Sequence, residues 1–366
     1  MSVISRWLRR IFDDPQILLL LLLIAGAFAA ILLLGAALSP VIAAIVIAFL
    51  LDGPASWLKR QGIGALGATL ILYAVFLALI GLGLFFVLPP LSDQIVQFVD
   101  LLPRMYARLR ESLLELPRAY PGIVTETFVR DALDQIGRQI SSLGSGMVLT
   151  TITGITGLMT MAVYGILVSV MLFFFLKDKE MILAWLGSFL PAHRPLADRV
   201  WREVVARAGD YARGKVYEIL IVGSAAYVLF ALIGLRFPAL LAVLTGLSVI
   251  IPYIGAAVVT FPVAFVAFFQ WGMGSDFAIA VGAYLVLQAL DGNVLAPLLF
   301  SEVVKLHPNA IILAILVFGS LFGLWGVFFA IPLATLIHAV MKAWPRAGGD
   351  EDPAAPEDAT EVRTDP

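Results

Sequence analysis

The chain has no cysteine and only three histidines in 366 residues. The missing thiols remove disulfides and thiol chemistry. So few imidazoles argue against a structural zinc site, because such sites draw on thiolate and imidazole ligands. Charge is scarce as well. Asp, Glu, Lys and Arg make up 14% of the sequence, against about a quarter in a soluble globular chain. The net charge of −2 says little about partners, and no nucleic-acid partner is expected. Enzyme signatures are absent too. No phosphate loop, HExxH or dinucleotide fingerprint occurs. The stretch LGSGM at 143–147 lacks the outer glycines of a nucleophile elbow. The expectation is therefore a non-enzyme without cofactor or metal.

What is present is apolar. Hydrophobic residues form 61% of the chain, gathered in runs long enough to cross a bilayer, for which about 20 residues suffice. The runs do not alternate in the short pattern of a membrane β-barrel. The fold class is all-α polytopic membrane protein, with about eight transmembrane segments. Residues 1–16 form a basic N-terminus, too long in its following apolar run for a signal peptide. Spans 1–3 occupy 17–88, with the first two at 17–37 and 38–58, divided at Ser39–Pro40, and the third closed by LPP. Residues 89–146 change character: Ile95, Phe98, Val99 and Leu102 lie on one helical face among charged residues. An amphipathic helical module fits, lying on the membrane or capping the bundle; a soluble helical hairpin between spans fits equally. Span 4 is 147–176, a basic linker follows at 177–216, and spans 5–8 fill 217–343. The acidic, Pro- and Ala-rich tail 344–366 has a disordered composition.

Lys and Arg set the orientation. With eight crossings and the N-terminus inside, inside segments carry 16 basic residues and outside segments 8. Both termini are then cytoplasmic, and 89–146 faces outward.

Two runs do not fit a single span. Residues 237–272 would extend about 54 Å as one helix, against a core of about 30 Å. Pro252 and Gly255 interrupt that run, and Gly323, Gly326 and Pro332 punctuate the run 306–341. Each is a steep kinked helix or a re-entrant hairpin. Broken helices at membrane depth must be buried in protein or line a cavity, and a pair of them points to a transporter's binding site. Gly and Pro are also common in membrane helices for packing alone. Between the two runs lies LQALDGNVLAPLLF, residues 287–300. Asp291 lies about 21 Å along its span, where an ionised acid costs about 2.5–3.5 kcal/mol or more. Gln288, three residues earlier, shares its face; Asn293 is turned away. Asp291 is expected to face the interior, either on a pathway or as a polar clamp on Gly292 and neighbouring helices. No second carboxylate on an adjacent span is apparent, which argues against an intramembrane aspartyl protease. Asp52, Glu218 and Arg236 read as interfacial anchors at span ends.

These residues also carry a resemblance. LQALDGNVLAPLLF with LHPNAIILAILVFGSLFGLWGVFFAIPLATLI resembles the closing signature of the autoinducer-2 exporter family. IIPYIGA, LPPLSDQI and LSPVIAAIVIAFLLDGP resemble its earlier motifs, so that the likeness spans about residues 15–343. The resemblance implies an eight-span bacterial inner-membrane transporter with cytoplasmic termini. Some members are linked to export of autoinducer-2, a small polar sugar-like signal, and others to sodium/proton antiport. By resemblance, Gln288, Asp291, Asn293 and Pro297 take the signature's polar and proline positions. Pro252, Tyr253, Gly255, Gly323, Gly326 and Pro332 fall at its breaks. The expectation is a homo-oligomeric exporter of a small polar solute. The alternatives are a cation/proton antiporter using Asp291 and a non-transporting membrane scaffold whose 89–146 module binds a partner.

Overall fold

Residues 15–119, 126–191, 194–300 and 307–343 are described by the structure, a computed structural model. Helix α1 runs over Pro15–Arg60. The expected turn at Ser39–Pro40 is absent, and the helix passes straight through both Pro40 and Pro54. An apolar setting offers no water to backbone groups freed by a turn. One missing amide at Pro40 costs less than opening a loop among Ala and Leu. The expected spans 17–37 and 38–58 are therefore parts of one continuous helix of 46 residues.

Helix α2, Ala65–Leu82, leads through a π-helical turn at Gly83–Val87 into α3, Leu88–Ala119. LPP does not close this span. Pro89 and Pro90 have no N–H, and their rings press on the carbonyls four residues earlier, at Phe85 and Phe86. The wider π turn holds those residues and lets the helix continue. Helix α4 is likewise unbroken over Glu126–Lys177. The expected boundaries at 88 and 146 thus fall inside helices, and 89–146 comprises the amphipathic extensions of two apolar helices. Leu102 and Met105 of α3 and Val129 and Leu133 of α4 are buried. The Tyr106 hydroxyl donates to the Leu133 carbonyl at 3.1 Å, directly over Gly137.

Helix α5 is Lys179–Ser188 and α6 is Pro195–Ile233. The basic linker is therefore helical, and the fifth span is the second half of α6. Then come α7, Pro238–Ser248; α8, Ile254–Trp271; and α9, Ser275–Leu290. A second π turn, Asp291–Leu295, leads into α10, Ala296–Phe300. It has the same cause: Pro297 presses on the carbonyl of Asn293, four residues back. Helices α11, Pro308–Phe328, and α12, Ala330–Ala343, follow. Among the described residues seven helices are long and apolar enough to cross a membrane, and Pro238–Ser248 is a shorter apolar helix.

Both long runs fold back. The Arg236 amide donates to Gln270 Oε1 at 2.8 Å, and Gln270 Nε2 donates to the Gly234 carbonyl at 2.7 Å. The two ends of 237–272 therefore lie side by side. Helix α7 is about 16 Å long, too short to span the core. This run is a helical hairpin whose base is at the C-terminal end of α6. In the second run Gly323 leaves helical geometry at φ 59° and ψ −137°. Ile311, Ala314, Ile315 and Phe318 of α11 then pack against Ala330 and Ile331 of α12. Pro332, Thr335 and Leu336 of α12 sit beside Glu203, Val204 and Arg207, near the N-terminal end of α6. The two hairpins enter from opposite ends of α6.

Candidate functional site

The hairpin tips meet. Ile250, at the first tip, packs in one cluster with Trp325, Phe328 and Phe329 of the second, on Val46 of α1 and Ala212 of α6. Ile251 packs with Phe322 against the cluster around Tyr211, Phe300 and Phe318. Glycine makes the folds possible. A Cβ on Gly255 would overlap the Ser248 carbonyl, and one on Gly326 would overlap the Phe318 carbonyl. Only hydrogen fits where the legs of each hairpin touch. At the first tip Tyr253 adopts φ 64°, a strained value for a bulky residue. Pro252 contributes no N–H there, while the Gly255 amide returns to the Ile251 carbonyl at 2.8 Å.

Charge is concentrated at this junction. Lys215 and Glu218 of α6 are three residues apart and share a face. Lys215 Nζ lies 2.5 Å from Glu218 Oε2, with the side chains 3% and 4% exposed. The same amine donates to the Val249 carbonyl at 2.7 Å. That carbonyl is available because α7 has just ended and no further turn of helix follows to claim it. The ammonium also stands 5.0 Å from the centroid of Phe300 and 6.0 Å from that of Tyr211, where the ring faces attract a cation. Asp291, at the head of the second π turn, interacts electrostatically with both Lys215 and Glu218. Its Oδ1 is buried with no hydrogen-bond partner. Lys215 and Glu218 form the ion pair of this site; Asp291 feels their charge without pairing with either, and one of its carboxylate oxygens has no partner. A buried acceptor in that condition costs free energy unless a proton, cation or donor reaches it.

A polar thread leaves the second tip. Trp325 Nε1 donates to Ser39 Oγ at 2.8 Å, and Ser39 lies 3.0 Å from the Tyr164 hydroxyl. Trp325 of the second hairpin is thereby tied to α1 and α4.

The chain matches the model of the AI-2E family transporters over residues 17–346. It belongs to that family. A protein of Escherichia coli (strain K12) named as a permease, PerM, is 43% identical over 345 residues, covering 94% of this chain and 98% of its own length. A Bacillus subtilis (strain 168) protein named as a transport protein, YrrI, is 27% identical over 310 residues, covering 82% of this chain and 85% of its own. The chain is a polytopic membrane transporter by family, and its relatives are named as permeases and transport proteins rather than enzymes.

The family signature residues divide. Asp291 reaches the buried charges. Gln288 does not pair with it: its Nε2 donates to the Tyr284 hydroxyl at 2.8 Å, which donates to the Ala256 carbonyl at 3.1 Å. Gln288 therefore braces the start of α8, next to the first tip. Asn293 turns its Nδ2 back to the Ala289 carbonyl at 2.8 Å and is exposed, as are Pro297 and Tyr253. Gly323 and Gly326 form the second fold, and Pro332 is buried on the flank toward α6. Lys215 had not been singled out, and Glu218 had been read as an interfacial anchor. Glu218 is no interfacial anchor: it is buried and ion-paired. It also supplies the second carboxylate that the sequence had not placed near Asp291, though the Lys215 amine occupies it. The available signal was an opposite-charge pair at three-residue spacing heading an uncharged run.

Proposed function

We propose that the chain moves a small polar solute across the bacterial inner membrane through the junction of the two hairpin tips. The observation that carries this reading is the buried Lys215–Glu218 pair, with the buried Oδ1 of Asp291 in its electrostatic reach, beside two helix breaks that enter from opposite ends. Irregular backbone and buried charge are both costly in hydrocarbon. Their concentration at one depth supports a path there, as in transporters built on broken helices. In this reading the solute is a small sugar-like signal such as autoinducer-2, exported from the cell, and the family name supports that class. Lys59 and Arg60 close α1, and Lys179 pairs with Asp52 of that helix at 2.7 Å; this basic end supports a cytoplasmic face there and an outward-facing 89–146. Assembly as a homo-oligomer is part of this reading, because the apolar surface bearing Asn293 and Pro297 is exposed in the single chain.

A second reading has its own observation. The unpartnered Asp291 Oδ1 fits a carboxylate that exchanges a proton for a cation. The experiment is flux in proteoliposomes with a solute gradient, a sodium gradient and a pH gradient applied in turn. Solute flux without ion dependence supports export. Proton movement driven by sodium alone supports exchange. No flux under any gradient refutes both.

A further inference from the structure

A second polar feature lies at the other end of α6. A cavity of about 520 Å³ opens between α3 and the α6–α7 turn, lined by Asp93, Gln94, Gln97, Leu101, Arg236 and Phe237. Its size is that of a small-molecule pocket. Lys215 lies 18 residues, about 27 Å, before the end of α6 at Ile233, so the cavity at Arg236 is separate from the charge cluster.

The cavity's geometry is fixed. Gln94 Oε1 accepts the Leu240 amide at 3.0 Å, joining α3 to the first turn of α7. Phe237 holds φ 59° and ψ 45°, a left-handed conformation that is strained for a bulky side chain. It is buried and meets Phe98 of α3 edge-on at a centroid distance of 5.6 Å. The floor of the cavity is thus the strained turn at the base of the first hairpin, and its far wall is braced to that hairpin's N-terminus. Above the floor, Asp93, Gln97 and the Arg236 guanidinium have no hydrogen bond or ion pair with other groups among the described residues. Asp93 and Arg236 do not pair with each other.

We infer that this cavity is a binding site for a small neutral polyhydroxylated molecule, the outward-side station of the solute path. Asp93 accepts hydrogen bonds, Arg236 donates them, and Gln97 does both; hydroxyl groups match all three. One acid and one base leave no net charge to favour an ion. Pro90, Leu101 and Pro238 offer apolar walls to the C–H face of such a ligand. Charge pairs at exposed positions gain little, so a zwitterion has no advantage over a polyol. The inference rests on the transport reading for its place on a path, but binding is measured without transport.

The test uses the full chain in lipid nanodiscs and isothermal titration calorimetry with ribitol, alanine and ribonate as neutral, zwitterionic and anionic probes. The expected result is saturable ribitol binding, stronger than for the other two. Gln97→Ala and Asp93→Ala, both at exposed positions, each weaken it by about tenfold, one hydrogen bond at the upper end of its usual net worth. Gly292→Ala, which does not line the cavity and whose added methyl meets nothing within 4 Å, binds ribitol as wild type does. Ribitol binding with this mutational pattern but no flux in liposomes would uphold the site and remove the transport reading. No ribitol binding, binding indifferent to Gln97 and Asp93, or preference for alanine or ribonate would overturn the inference.

Discussion

Replacing Lys215 by Met leaves Glu218 as a buried carboxylate with no cation, close to a second carboxylate at Asp291. It also removes the donor to the Val249 carbonyl. Breaking a buried ion pair from one side costs about 3–5 kcal/mol, and an orphaned buried carbonyl adds about 1–3 kcal/mol. These terms overlap, since Glu218 can take up a proton and shed part of the first. A loss of about 3 kcal/mol or more is expected. The companion variant Lys215→Met with Glu218→Leu removes both charges and keeps volume; buried pairs replaced in this way are often neutral or stabilised. The assay is the temperature at which the monodisperse peak in detergent is lost, for wild type, both single variants and the double. The reasoning predicts that each single variant is less stable than the double. Single and double variants with equal midpoints, or a wild-type midpoint for Lys215→Met, would refute the claim that the pair holds the first tip to α6.

Gly255→Ala and Gly326→Ala place a methyl on the Ser248 and Phe318 carbonyls; both are expected to abolish assembly, while Gly292→Ala, which meets nothing within 4 Å, leaves yield and peak shape unchanged. Trp325→Phe and Ser39→Ala each remove the 2.8 Å hydrogen bond between α11 and α1. Each should lower stability by about 0.5–1.5 kcal/mol, and the double variant should lose little more than either alone in a double-mutant cycle. The natural absence of cysteine allows clean single-site labelling. With α1 unbroken, cysteines at Gln16 and Gln61 should react with impermeant reagent from opposite sides of a membrane vesicle; labelling of both from one side would restore the turn at Ser39–Pro40.

Composition and run length were sufficient for the fold class, because a helix in hydrocarbon satisfies its own backbone whatever its neighbours are. The hairpin breaks were legible for a related reason: Pro252 and Gly255, and Gly323 and Gly326, interrupt runs too long for one crossing. The choice between kink and hairpin was not, since it depends on groups far apart in sequence, such as Gln270 reaching Gly234. Prolines misled in the opposite direction at Pro40 and at Pro89–Pro90. There the helix continues, once as a plain helix and once through a π turn, because an apolar setting penalises a loop more than a lost hydrogen bond. Asp291 stood out as an acid in a greasy run. Lys215 and Glu218 did not, because they lie where a basic linker meets a span, and only the packing of Val249, Tyr211 and Phe300 around Lys215 turns an apparent surface pair into a buried one.

The central claim is that solute or ion passes the Lys215–Glu218–Asp291 junction, and Asp291→Asn tests it most directly. The substitution keeps the shape and some hydrogen bonding but cannot ionise. Transport per correctly assembled molecule is measured in proteoliposomes across pH. The account predicts partial activity if a neutral solute uses the acid as an acceptor, and loss of exchange together with its pH dependence if a cation uses its charge. Wild-type rates at every pH would contradict it and take Asp291 out of the path.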